Sequence, residues 1–121
     1  MKTWIGASLF SSALVGCASA QMPDAELTEA KSAVRAAEAV GVENAPQARL
    51  HLKMASNQIE EARRHVEDGN EAKARNALER AQYDAELALS LAQAQRTLDE
   101  LKEAKKEIAE LQERLQGDNQ P

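Results

Sequence analysis

Small and apolar residues recur at spacings of three and four along most of this chain, the period of an amphipathic helix. The first such series is Leu27, Ala30, Val34 and Ala37, with Lys31, Arg35 and Glu38 on the opposite face. It predicts a helix from about Ala25 to Val40, with Asp24 as its N-cap and Gly41 as its stop. The second series, Ala48, Leu52, Ala55, Ile59, Ala62 and Val66, alternates four and three without a break, the mark of knobs-into-holes packing. Asn44 or Ala45 is placed to cap this helix, and Pro46 falls in its first turn, where a missing N–H does no harm. Glu60 with Arg64, and Arg63 with Glu67, are expected as i,i+4 pairs on its wet side. In Asp68-Gly69-Asn70, Gly69 ends the helix and Asn70 caps the next.

Neither Gly nor Pro occurs from Asn70 to Gln116, which allows one helix of about 46 residues, or ~70 Å. Its first half carries two neighbouring seams. One is Ala74, Leu78, Ala81, Ala85, Ala88 and Ala92; the other is Ala77, Leu87, Leu91 and Ala94. Two seams call for two helical partners. Beyond Ala94 the apolar face narrows to Leu98, Leu101, Ile108 and Leu115, with Ala104 and Leu111 alongside and Lys105 and Gln112 interrupting it. The fold expected is all-α: an antiparallel three-helix bundle, or helical hairpin, over 24–94, whose third helix extends over 95–116 as a coiled-coil-like stalk, followed by a disordered tail over 117–121. An apolar stripe left in water is unfavourable. Leu98, Leu101, Ile108, Leu111 and Leu115 are therefore the expected partner-helix interface, toward a second copy or the helix of another protein. The alternative is a solvated single helix held by local pairs such as Glu110 with Arg114.

The amino-terminal stretch has a different pattern. Lys2 precedes an apolar run from Trp4 to Val15, long enough for an export signal and too short for a membrane span of roughly 20 residues. Leu14-Val15-Gly16-Cys17 resembles the lipobox of bacterial lipoproteins. The resemblance implies a signal peptide over 1–16 and a lipidated linker over 17–23. It also implies a diacylglyceryl thioether and an N-acyl chain, such as palmitate, on Cys17. Ala18 beside Cys17, where an inner-membrane protein would carry Asp, implies the outer membrane and its periplasmic face. Ala18-Ser19-Ala20 offers the other reading, an ordinary cleavage site that releases a soluble periplasmic protein. Cys17 is the only cysteine, so no internal disulfide is available.

Composition narrows function mainly by exclusion. Net charge is -5 and there is no basic cluster, which speaks against nucleic acid. Trp4 and Phe10 precede Cys17, leaving Tyr83 as the one aromatic after it, so stacking on bases or sugars has almost nothing to work with. His51 and His65, the two histidines, are fourteen residues apart on one helix, ~21 Å, and cannot share a metal. Glu61 and His65 have the spacing of a surface contact. Ser32, Ser56 and Ser90 lack an evident catalytic partner, and no Gly-rich phosphate loop occurs. Catalytic residues, metal ligands and cofactors are accordingly expected to be none, apart from the covalent lipid.

Three features together resemble a family of small bacterial envelope lipoproteins, the domain of unknown function 4398 family. These are the alanine-spaced helix ending at Gly41, the Asn44-Ala45-Pro46 entry, and Asp68-Gly69-Asn70 followed by Ala74, Ala77, Ala81 and Asp84-Ala85-Glu86-Leu87-Ala88. At Gly41-Val42 the chain departs from the family, whose members tend to have alanine after the glycine. The resemblance implies a helical lipoprotein, associated in some cases with OmpA-like partners, and no known activity. The expected function is a non-enzymatic adaptor or spacer in the cell envelope. The alternative is a periplasmic chaperone or carrier holding an apolar ligand or peptide between its helices.

Overall fold

A computed structural model describes residues 20–118. It contains three helices, α1 (Asp24–Val40), α2 (Pro46–Glu67) and α3 (Glu71–Asp118). The all-α class, the three elements and the long third helix are those the periodicity predicts. Signal and lipobox residues Leu14, Val15, Gly16 and Cys17 lie outside the described residues, as do 119–121.

Each boundary has a local cause. α1 begins one residue early. Pro23 takes the N-cap position, is buried, and accepts the Leu27 N–H at 2.9 Å, so Asp24 is the first helical residue and makes no capping bond. Asp24 still sits at the positive end of the helix dipole with Glu26. α1 stops at Gly41, whose φ of +87° suits glycine. Ala45 caps α2 and Pro46 opens it. At the far end, Gly69 (φ +77°) donates to Val66 O at 2.9 Å and Asn70 donates to His65 O at 2.7 Å, the paired bonds of a Schellman motif. Asn70 then caps α3, its Oδ1 accepting the Lys73 N–H at 3.1 Å. α3 does not end at Gln116. It passes through Gly117 to Asp118, because one helical glycine costs only about 1 kcal/mol.

α3 is the axis of the molecule. α1 lies beside it in the same direction and α2 in the opposite one, and the two short helices touch α3 far more than each other. Among the described residues the buried hydrophobic set has 14 members, of which 12 are alanine; the others are Ile59 and Leu78. Ala30, Ala55, Ile59, Ala62, Ala74, Ala77, Leu78, Ala81 and Ala85 form the main cluster, edged by Leu27, Val34 and Val66. A smaller one, Ala45, Ala48 and Ala92, is closed by Val40, Val42 and Leu91 near the α1–α2 connection. Side chains with a single methyl let helix backbones approach closely, and so little apolar mass packs densely only at short range.

The second seam of α3 does not form as the spacing suggests. Ala77 is buried and Leu91 half-buried, but Leu87 and Ala94 are exposed. Both partners instead share the Ala74–Ala92 face. α1 lies toward Arg75, Gln82 and Glu86, and α2 toward Arg80 and Asp84. Alanine seams are narrow enough for two helices to straddle one face, which leaves the Leu87 side to solvent.

Candidate interaction surface on the third helix

Polar side chains fix the register of the bundle. Glu26 of α1 pairs with Arg75 of α3, which also reaches Glu71 at 3.2 Å. Arg80 of α3 donates to Glu61 of α2 at 3.0 Å, and His65 approaches the same carboxylate at 3.4 Å. The Arg80 hydrogen bond, helped by its charge and by His65 and opposed by slight burial, holds the Glu61 carboxyl below the usual carboxylate range. Thus the expected Glu61–His65 surface contact exists, with a cation from α3 added. On the wet side of α2, Glu60 pairs with Arg63 at 3.0 Å instead of Arg64. On the overhang, Glu110 meets Lys106 at 3.9 Å instead of Arg114. Neighbours three and four residues away are nearly equivalent partners for long exposed side chains, so spacing alone does not choose between them.

Asp84, whose side chain is 17% exposed, lies at the α2–α3 interface. Its Oδ1 contacts His51 Nδ1 at 2.8 Å and its Oδ2 accepts from Gln58 Nε2 at 2.7 Å. A carboxylate only accepts, so the contact needs a proton on Nδ1. Gln58 Oε1 is buried without a partner. Adjacent Tyr83 is 68% exposed and takes no part. The cluster was legible in principle: once α2 and α3 run antiparallel with Ala48 near Leu91, His51 and Gln58 both fall opposite Asp84. Asp84→Ala strands two donors at a half-buried interface. It should cost about 1–3 kcal/mol, read as a lower urea midpoint with an unchanged slope. Asp84→Asn, which keeps an acceptor, should cost less.

Among the described residues no group of three or more His, Cys, Asp or Glu side chains is placed to hold a metal ion. Also among the described residues, no helix is long and apolar enough to cross a membrane. The distinctive surface is the far half of α3. The α1–α2 connection (41–45) reaches the level of Asp99 and Glu100, so the bundle ends there, about a turn and a half later than Ala94. Every side chain from 101 to 117 is exposed, an overhang of roughly 27 Å over residues 101–118.

Leu98, Leu101, Ile108, Leu111 and Leu115 are 49–65% exposed. They do not form one line. Leu101, Ile108 and Leu115 are seven apart, with Leu111 at the complementary heptad position. Leu98 sits to one side. With Leu91, Ala94 and Gln95 it lines an open groove of about 520 Å³ against Ala45, Pro46, Gln47 and Ala48 at the start of α2. The groove leads from the end of the bundle onto the overhang, and its lining is mainly apolar.

Fold and surface together define a small helical-bundle protein that extends one helix as an apolar-striped arm. The chain belongs to the family described as "Domain of unknown function (DUF4398)", whose model matches residues 25–104. The match takes in the whole bundle and the first part of the overhang. No curated protein and no solved structure matches the chain.

Proposed function

We propose that this chain is a lipid-anchored protein of the bacterial envelope. It acts without catalysis, as a helical adaptor or spacer that docks a partner helix on α3. One observation carries this reading: a run of large apolar side chains along α3 from Leu98 to Leu115, exposed in water, beginning at a groove rimmed by the start of α2. Such a run is unfavourable unless something covers it. The Leu14-Val15-Gly16-Cys17 pattern supports the anchor. α1 begins at the same end of the bundle as α3, since Glu26 meets Arg75. A tether on Cys17 thus holds the base of the bundle near the membrane and the tip of α3 away from it. With Ala18 after the cysteine, the outer membrane and its periplasmic face fit best.

The test is photo-crosslinking in cells, with a photoreactive residue at Leu101, Ile108 or Lys106 in turn. Leu101 and Ile108 should give a discrete adduct and Lys106, on the charged side, should not. In the same cells Cys17→Ala should move the protein from the membrane to the soluble fraction. Adducts equal at all three positions would remove the docking face, and an unchanged membrane fraction would remove the anchor.

A further inference from the structure

The stripe on α3 follows a heptad that the bundle itself does not use. Leu87, Ala94, Leu101, Ile108 and Leu115 are each seven residues apart, position a, and Ala104 and Leu111 fall at position d. The buried residues of α3 occupy other slots. Ala74, Ala81 and Ala88 are at b, Leu78, Ala85 and Ala92 are at f, and Ala77 is at e. On a heptad wheel, b and f lie across the helix from the a/d seam. The seam therefore lies outside the packed face of α3: Leu87 is exposed beside buried Ala88, and exposed Ala94 borders the groove at the start of α2. From Leu87 to Leu115 the a positions run through four heptads, ~42 Å; Ser90 and Thr97 hold the first two d positions, so a and d are both apolar only over 101–115.

The flanking charges choose the occupant. Position g holds Glu100 and Glu107, and position e holds Lys105 and Gln112. In a parallel, in-register pair each g residue meets the e residue five positions on in the other helix. Glu100 then meets Lys105 of the second copy, twice by symmetry, and Glu107 meets Gln112. No like charges face each other. An antiparallel pair centred on Ile108 sets Glu107 of one copy against Glu107 of the other. Lys105 adds a second argument. Lys102 pairs with Asp99, and Lys106 with Glu103 and Glu110, all within α3. The residues three and four positions from Lys105 are Leu101, Lys102, Ile108 and Ala109, so its own helix offers it no acid.

We propose that the occupant of this face is a second copy of the chain, paired parallel and in register through Ala94, Leu101, Ala104, Ile108 and Leu111. This deepens the reading of α3 as a docking face and rests on it. The two bundles then lie back to back, with both α1 starts at one end and both α3 tips at the other.

Sedimentation equilibrium of the full-length chain tests it, with helicity followed by circular dichroism. The unaltered chain should be a dimer. Glu100→Lys and Lys105→Glu, each alone, should raise the dissociation constant about tenfold while helicity holds. Combined in one chain they exchange the partners, and the constant should return to within about twofold of the starting value. Rescue is informative because Glu100 also accepts from Arg96 at 3.0 Å, a contact the combined variant does not restore. A monomer at all concentrations, or a combined variant no tighter than the single ones, overturns the proposal. A monomer whose Ile108 adduct in cells is a different protein overturns the second copy and leaves the docking reading standing.

Discussion

Leu78→Ala should destabilise the bundle by about 3–4 kcal/mol, the middle of the range for deleting a buried leucine. Among the described residues Leu78 is the largest side chain that is fully buried, and it lies in the main cluster with Ala74, Ala81 and Ala85. The cost of such a change depends on how far the surroundings can collapse into the space. Here they cannot collapse much. The walls are mostly methyl groups on helices already close together, and the longer side chains of the cluster, Ile59 within it and Leu27 at its edge, are already packed. A domain of this size has a total stability of only about 5–10 kcal/mol, so a third or more of it goes with one residue. Thermal melting followed at the helical band should show a midpoint lower by roughly 15–25 °C. A fall of only a few degrees would mean that the helices are held mainly by something other than this contact. Leu101→Ala is the internal comparison. Leu101 is exposed, so in a dilute sample its loss should change the midpoint of the bundle very little.

Ala81→Leu is the complementary experiment and should cost at least about 3 kcal/mol, the upper end for an overpacked core. Ala81 is fully buried in the same cluster. A leucine there adds three carbons where neighbouring helices approach across single methyl groups. Ala81 has no exposed surface through which the larger side chain escapes, so α1 or α2 should move away and lose contacts along the helix. The expected result in urea is a lower midpoint together with a broader, less cooperative transition. The same substitution at exposed Ala72 should stay within about 0.5 kcal/mol. If both positions tolerate leucine equally, the alanine face is not the packing surface.

Both experiments draw on what was legible in the sequence. Leu27, Ala30, Val34 and Ala37, the α2 series from Ala48 to Val66, and the Ala74–Ala92 seam all lie on packed faces, because period-3.6 spacing and backbone geometry are the same fact seen twice. Gly69 and Asn70 were legible for a similar reason: a left-handed residue followed by a capping amide has few other uses. Less could be read where the outcome depends on a neighbouring helix. The second seam looked like a second contact face because spacing cannot say that two alanine-lined helices will fit on one. Pro23 displaced Asp24 as the cap because it is buried, which local propensity does not register. The junction of His51, Gln58 and Asp84 brings residues 26 and 33 positions apart into contact, and it emerges only once the register of α2 on α3 is known. For the partner face the sequence located the residues, while the separation of Leu98 from the Leu101–Ile108 line needed the end of the bundle to be placed.

The bundle stops at Glu100 while the helix continues for another eighteen residues, so length and stability are written in different parts of the chain. A deletion or duplication of seven residues inside the exposed segment would preserve the phase of its apolar line and alter the height of the tip by about 10 Å. It would leave every buried methyl where it is. Reach and folding stability therefore vary independently: the exposed segment sets the one and the alanine interior the other.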